Sequence, residues 1–269
     1  MATLKIAIAG ASGRMGRALL DEVLRADDLK LAAALEQNGN AAVGRDAGEL
    51  AGAPCGVKIG DDIYKALAGC AVLVDFTRPE GTMAHLAACR KQGVQMVIGT
   101  TGFSEGQKKE IAAAARDIAI VMSPNFSVGV NVAFRLLAVA AVALGKGYDV
   151  EIVEAHHRYK VDAPSGTALR MGEVVAQALG RDLRKHAVYG REGVTGERKD
   201  NTIGFAAVRG GDAVGDHSVM FIGTGERLEI SHHASSRANF ANGALRAARF
   251  AAAKKSGLFD MADVLGFAK

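Results

Sequence analysis

The sequence predicts an α/β chain in which a doubly wound parallel sheet is joined to a second, α+β region. Three observations predict it. The first 125 residues alternate short β-rich runs with longer helical patterns, a glycine-rich turn joins the first run to the first helix, and the alternation gives way to successive strand-like runs beyond Asn125. At 269 residues the chain exceeds the usual domain of about 100 to 200 residues, so two domains are expected.

In order, the strands of the first region are expected at Leu4 to Ala9, Leu29 to Glu36, Val72 to Phe76, Val94 to Gly99 and Ile118 to Met122. Helices are expected at Met15 to Ala26, Pro79 to Lys91 and Ser104 to Arg116. Ser104 and Gln107 form a capping-box pair at the start of the third, where hydroxyl and amide satisfy backbone groups that a helix end leaves unpaired. A long apolar helix follows from Val132 to Leu144, then a strand from Asp149 to His156 and a helix from Ser165 to Leu179. Thr202 to Val208, His217 to Ile222 and Arg227 to His232 read as consecutive antiparallel strands. The last helical pattern, Phe240 to Lys255, is expected to return to the first domain and help cover its sheet.

Composition excludes several classes. Nearly half the residues are hydrophobic (49%) and 23% are charged, which suits a folded globular chain with a substantial core. The net charge is +4, but Lys and Arg are scattered among Asp and Glu and not gathered on one element, so no nucleic-acid partner is expected. No apolar run approaches the roughly 20 residues needed to span a bilayer, and no signal-peptide core precedes the first strand. Cys55, Cys70 and Cys89 form no CxxC pair and are odd in number, which suits a reduced, cytoplasmic setting.

The turn Gly10-Ala11-Ser12-Gly13-Arg14-Met15-Gly16 lies between the first strand and the first helix. There, backbone N–H groups and the positive helix end can face a pyrophosphate. Gly10 permits the tight turn, Gly13 close approach of phosphate, and Gly16 close packing of helix on strand, as in a Rossmann-like dinucleotide site. The spacing is GxxGxxG, with Ser12 where the usual second glycine stands, so the loop alone is a weak signal. Glu36 strengthens it, because it ends the second strand 20 residues beyond Gly16, where a ribose-binding acid is expected.

The sharpest local signal is the stretch Glu151 to Ala168. His156, Arg158 and Lys160 would share one face if the strand stayed extended, a crowding of cations that an anion would relieve. Pro164-Ser165-Gly166-Thr167 then opens a helix and offers N–H groups and hydroxyls to a carboxylate. Together these describe a site for a small dianion. The pairs His156-His157 and His232-His233 raise a metal site as a competitor, but adjacent strand residues face opposite ways and Arg158 and Lys160 would repel the ion, so no metal is assigned. A serine hydrolase lacks its GxSxG elbow, and a semialdehyde dehydrogenase lacks its nucleophilic cysteine motif.

With these residues the chain resembles the bacterial 4-hydroxy-tetrahydrodipicolinate reductases, also called dihydrodipicolinate reductases. The resemblance spans nearly the whole chain: Gly10 to Gly16, Asp75-Phe-Thr, Gly99-Thr-Thr-Gly-Phe103, Pro124-Asn-Phe-Ser-Val-Gly129, Glu151 to Ala168, Ser236-Arg237 and Phe240-Ala-Asn-Gly243. It implies a dinucleotide-binding domain from residues 1–127 and 238–269, and a domain of residues 128–237 that binds substrate and forms a homotetramer. It implies NADH or NADPH as cofactor, a small dicarboxylate substrate, and a place in diaminopimelate and lysine biosynthesis. By the same resemblance Gly10, Ala11, Ser12, Gly13, Arg14, Met15, Glu36, Gln37, Gly99, Thr100, Thr101, Ser123, Pro124, Asn125 and Phe126 line the cofactor. His157, Lys160, Ser165, Gly166 and Thr167 hold substrate, and His156 and Lys160 are catalytic. Gln37 stands where an Arg often follows the ribose acid, and Ser123 and Tyr159 also depart from the family pattern.

Overall fold

The computed structural model describes residues 3–267. The chain divides into two compact units, one formed by the chain through Val128 together with Arg237 onward, the other by Gly129–Ser236.

The first unit begins with β1 (Leu4–Ala9), α1 (Arg14–Arg25) and β2 (Leu29–Leu35). A 3-10 turn at Ala47–Ala51 leads to β3 (Ile59–Gly60) and α2 (Ile63–Ala66), which sequence periodicity did not announce. It continues with β4 (Val72–Asp75), α3 (Pro79–Gln92), β5 (Gln95–Ile98), α4 (Glu105–Ala114) and β6 (Ala119–Met122). Local chemistry sets these boundaries. Pro79 opens α3, Gly93 closes it in the left-handed conformation, and the Ser104–Gln107 capping box starts α4.

α5 (Val128–Leu144) leads into the second unit and begins four residues earlier than its apolar run suggested. Then come β7 (Asp149–His156), α6 (Gly166–Ala178), α7 (Leu183–His186), β8 (Ala187–Tyr189), β9 (Ile203–Arg209), β10 (Gly215–Gly223) and β11 (Glu226–Ala234). α8 (Ala238–Ala252), β12 (Gly257–Phe259) and α9 (Met261–Leu265) return to the first unit.

The first unit is a seven-stranded sheet in the order β12-β6-β5-β4-β1-β2-β3, with every pairing parallel. Successive residues of β1 enter different cores. Ile6 and Ile8 pack with Leu19 and Leu20 of α1 and Ala244 and Leu245 of α8, whereas Ala7 and Ala9 pack with Leu86 of α3 and Ile111 of α4. Burial on both faces is why this strand reads as an unbroken apolar run and not as an alternating one.

The second unit is a five-stranded mixed sheet in the order β11-β10-β7-β9-β8. One face carries α5 and α6, through Leu137, Met171 and Val175 against Val150, Ile152 and Phe221. Here the expectation of consecutive antiparallel strands is corrected. β10 and β11 pair antiparallel, but β9 lies on the other side of β7 and runs parallel to it. The link between β9 and β10 crosses the end of β7, where the N–H groups of His157 and Arg158 donate to the carbonyls of Ala213 and Gly211. Five residues suffice to step over one strand, a connection that strand spacing along the sequence does not reveal.

Candidate active site

In the first unit the carboxyl ends of five strands are in register. Ala9 pairs with Leu35 and Asp75, Asp75 with Ile98, and Ile98 with Met122. The next residue on each strand is Gly10, Glu36, Phe76, Gly99 or Ser123, so four segments of the expected cofactor site are brought side by side. The neighbours β2 and β4 flank β1, which makes the end of β1 the point where the strand order reverses, the usual ligand crevice of such sheets.

The glycine loop has the expected tightness: a Cβ on Gly16 would lie 2.1 Å from the Gly10 carbonyl oxygen. Glu36 is held against this loop. Its Oε1 accepts from Ser12 N at 2.8 Å and from Ser12 Oγ at 2.6 Å, and its Oε2 accepts from Asn40 Nδ2 at 3.1 Å. Ser12, in the place of the customary glycine, thus orients the acid. Arg14 and Gln37 are exposed. Arg17, not singled out from sequence, donates through Nε to the Ser12 carbonyl at 3.0 Å.

Not every expected residue presents its side chain. Phe126 is core, edge-on to Phe76 with ring centroids 5.5 Å apart, and Thr100 is buried. Beneath the Gly99–Thr101 turn lies a polar network unnoticed in sequence. Asp75, fully buried, accepts from Thr77 N at 2.8 Å and meets His85 Nδ1 at 2.7 Å, while Thr82 Oγ1 donates to Thr100 Oγ1 at 2.8 Å. An aspartate closing a β4 that is otherwise Val-Leu-Val was the available signal.

In the second unit β7 buries Val150, Ile152, Glu154 and His156 in strict alternation. Glu154, 1% exposed, is the hub. Its Oε2 lies 2.6 Å from His156 Nδ1, and its two oxygens accept from Arg209 at 2.8 and 2.7 Å. Its Oε1 also accepts from the backbone N–H of Ser165 at 3.1 Å. Burial acts to raise this carboxyl, but Arg209, His156 and the Ser165 N–H outweigh it and hold Glu154 below the ordinary glutamate range.

Ser165 caps α6, accepting from Ala168 N at 3.1 Å, and its hydroxyl also sits 2.9 Å from His217 Nε2. The His217 ring packs edge-on to that of His156 at 5.1 Å. Glu154, Arg209 and His217 were all missed from sequence. A carboxylate in line with Val150 and Ile152 was the clue for the first, whereas the other two come from distant strands that only the sheet order brings in.

The expected shared face of His156, Arg158 and Lys160 is corrected. β7 ends at His156, and Lys160 N donates to the His157 carbonyl, closing a turn that breaks the alternation. Lys160 Nζ instead meets both Asp162 oxygens at 2.8 Å, and the Asp162 carbonyl accepts from Arg209 at 2.8 Å. His156, Ser165, Lys160 and Arg209 therefore belong to one connected polar network.

Burial pushes the His217 imidazole down to about 4, with the neighbouring charge of His156 adding to the effect. His217 is thus neutral in the folded chain at pH values where the unfolded chain, with an ordinary histidine pKa near 6.5, takes up a proton. Its contribution is intact above pH ~6.5 and drains away as pH falls towards ~4. From pH 7 to pH 5 this amounts to about 2 kcal/mol. Urea unfolding should show a smaller loss over that interval in His217→Gln than in the wild type; equal losses would show that His217 is not the group responsible.

A parallel sheet with a glycine turn and acid at its switch point, accompanied by a unit in which Arg209 closes over a buried His156–Glu154 pair, defines a pyridine-nucleotide-dependent oxidoreductase. The family models described as dihydrodipicolinate reductase, N-terminus, and dihydrodipicolinate reductase, C-terminus, match residues 4–126 and 129–265. The chain belongs to the dihydrodipicolinate reductase family. It is 66% identical over 266 residues to the 4-hydroxy-tetrahydrodipicolinate reductase of Nitrosomonas europaea, covering 99% of each chain. It is 65% identical to that of Nitrosospira multiformis over the same length and coverage. Among solved structures, a dipicolinate-bound dihydrodipicolinate reductase from Paenisporosarcina sp. TG-14 shares the fold, with a TM-score of 0.76 at 24% identity over 96% of this chain and 97% of that one.

Proposed function

We propose that this chain reduces 4-hydroxy-tetrahydrodipicolinate to tetrahydrodipicolinate with NADH or NADPH, in diaminopimelate and lysine biosynthesis, and that His156 and Lys160 carry the chemistry. The observation that carries the reading is the bridge from His156 through Glu154 to Ser165 N, which holds a proton-bearing ring and the start of a helix in one frame. A dianionic substrate needs both: a cradle for carboxylate and a cation beside the ring being reduced.

The first unit fits a dinucleotide: the loop is too tight at Gly16 for any side chain, and Glu36 stands beside it at the end of β2. Gly10 to Met15, Glu36, Gln37, Gly99 to Thr101 and Ser123 to Phe126 would hold the cofactor, which when bound supplies the hydride. In the second unit, His157, Lys160 and the α6 start at Ser165, Gly166 and Thr167 would hold the two carboxylates, with Lys160 exchanging Asp162 for substrate. Ser165 serves mainly by shaping that start, since its hydroxyl and N–H are already engaged. Reduction of the conjugated imine places negative charge on the substrate ring, and a proton from His156 or Lys160 completes the step, after loss of water from the hydroxylated precursor.

The expected assembly is a cytoplasmic homotetramer built through the second unit's sheet. Its face away from α5 and α6 presents Val153, Ala155, Val208, Met220 and Ile222 among polar residues such as Glu151, Ser218, Glu229 and Ser231, with Val208 53% and Ile222 37% exposed, a mixed face whose exposed aliphatic side chains self-association would cover. Among the described residues no helix is long and apolar enough to cross a membrane. Sedimentation at micromolar concentration should give a tetramer; a monomer would overturn the assembly.

The reading is tested by following oxidation of NADH and of NADPH with freshly prepared 4-hydroxy-tetrahydrodipicolinate; no substrate-dependent oxidation of either would defeat it. NADH should serve at least as well as NADPH. Glu36 would repel a 2′-phosphate, and Gln37 supplies no charge to offset it. Gln37→Arg should move the kcat/KM ratio towards NADPH. A wild-type preference for NADPH above about tenfold, or roughly 1.4 kcal/mol, would mean that Arg14 or Arg17 provides the missing cation.

A further inference from the structure

We propose that Glu154 is a positioning residue that fixes the tautomer of His156 and sets a carboxylate against its ring, with Arg209 as the counter-ion that keeps Glu154 ionised. The inference rests on the reading of His156 as the group that handles the proton.

An ionised carboxylate only accepts hydrogen bonds, at about four lone-pair positions. Glu154 has four donors around it: His156 Nδ1, two nitrogens of Arg209 and the N–H of Ser165. Facing an acceptor at 2.6 Å, Nδ1 of His156 must carry the hydrogen, so Nε2 is the atom that gains and loses the proton. Space at Nε2 is kept by Gly215, where a Cβ would stand 3.0 Å away.

Charge decides the rest. A lone carboxylate 1% exposed would be neutralised by protonation, and a neutral Glu154 would not discriminate between imidazole and imidazolium. Arg209, the cross-strand partner of His156 on β9, prevents that by clamping both oxygens. The charged and titratable groups around His156 are therefore Glu154 on β7, Arg209 on β9 and His217 on β10, with Lys160 and Asp162 joined to them through Arg209. The Glu154–Arg209 pair is neutral as a unit, and removing either half leaves His156 without an ionised carboxylate at Nδ1.

That shared dependence on charge separates positioning from mere structural support. kcat should be measured against pH for the full-length wild type and for Glu154→Gln, Arg209→Gln and His156→Gln. Glu154→Gln should lower kcat by about 10- to 100-fold and move the alkaline limb down by about one pH unit. Arg209→Gln, which leaves Glu154 to be neutralised, should move the same limb down as well, and His156→Gln should abolish it. Affinity for NADH and for pyridine-2,6-dicarboxylate should stay near wild type in a folded Glu154→Gln. An unshifted limb in Glu154→Gln overturns the proposal, and should that variant not fold, an unshifted or raised limb in Arg209→Gln does so. If His156→Gln retains wild-type turnover and limb, the catalytic reading of His156 fails, an outcome distinct from an impaired His156→Gln beside an unshifted Glu154→Gln.

Discussion

His156→Gln and Lys160→Ala are each expected to lower kcat by about 10²- to 10⁴-fold, the usual worth of a positioned proton donor, while leaving affinity for NADH within about twofold. Both residues belong to the unit Gly129–Ser236, whereas the in-register strand ends at Gly10, Glu36, Gly99 and Ser123 belong to the other. The two variants should differ in KM. Lys160 makes an ion pair with Asp162 and, on the proposed function, exchanges it for a substrate carboxylate, so its removal should raise KM as well. His156 is buried at the end of β7, and Gln can still donate from a shorter side chain, so kcat should fall with little change in KM. Steady-state kinetics with equilibrium cofactor titration would check both, and a variant keeping more than half of wild-type turnover would remove its residue from the chemistry.

Gly243→Ala is expected to cost about 3 kcal/mol of stability, at the upper end of what overpacking exacts. A Cβ at this position on α8 would lie 1.7 Å from the carbonyl oxygen of Phe126 and 2.8 Å from its carbon, so it meets backbone that cannot rotate away. Relief requires α8 to lift from the core that it shares with Ile6, Ile8 and Val97, or the turn after β6 to shift. The midpoint of thermal unfolding should drop by roughly 6 to 12 °C. Gly106→Ala in the first turn of α4, where the added Cβ meets only Ser104 Oγ at 3.8 Å, is the control and should be neutral or slightly stabilising. Equal midpoints for the two variants would show that α8 does not press on the Phe126 turn as described.

Much of the first unit was legible in the sequence because its signals are local. A strand buried on both faces is an apolar run, Ser104 with Gln107 marks a helix start, and the Gly10 to Gly16 turn with Glu36 marks a dinucleotide crevice. β3 and β12, with two and three residues, are too short to carry a period, and they exist because the neighbouring strands β2 and β6 offer edges to them. In the second unit His156, Lys160 and the α6 start were readable because they fall within fifteen residues of one another. Arg209 and His217 lie more than fifty residues away from Glu154 and Ser165, at |i−j| of 55 and 52, and reach the site only because β9 and β10 flank β7. Periodicity yields a strand but not its neighbours, which is why a mixed sheet was taken for a run of antiparallel ones.

The return of α8 and β12 to the first unit also sets an order of events during synthesis. The sheet face holding Ile6, Ile8, Val74 and Val97 is covered in part by Ala241, Ala244, Leu245 and Ala248 of α8, which are encoded after the whole of the second unit. A ribosome adding about 5 to 20 residues per second needs roughly 5 to 20 s to traverse that interval. For that time the nascent first unit holds an apolar face that α1 covers only in part, while the second unit, unbroken in sequence, emerges complete and first has all of its own core to close.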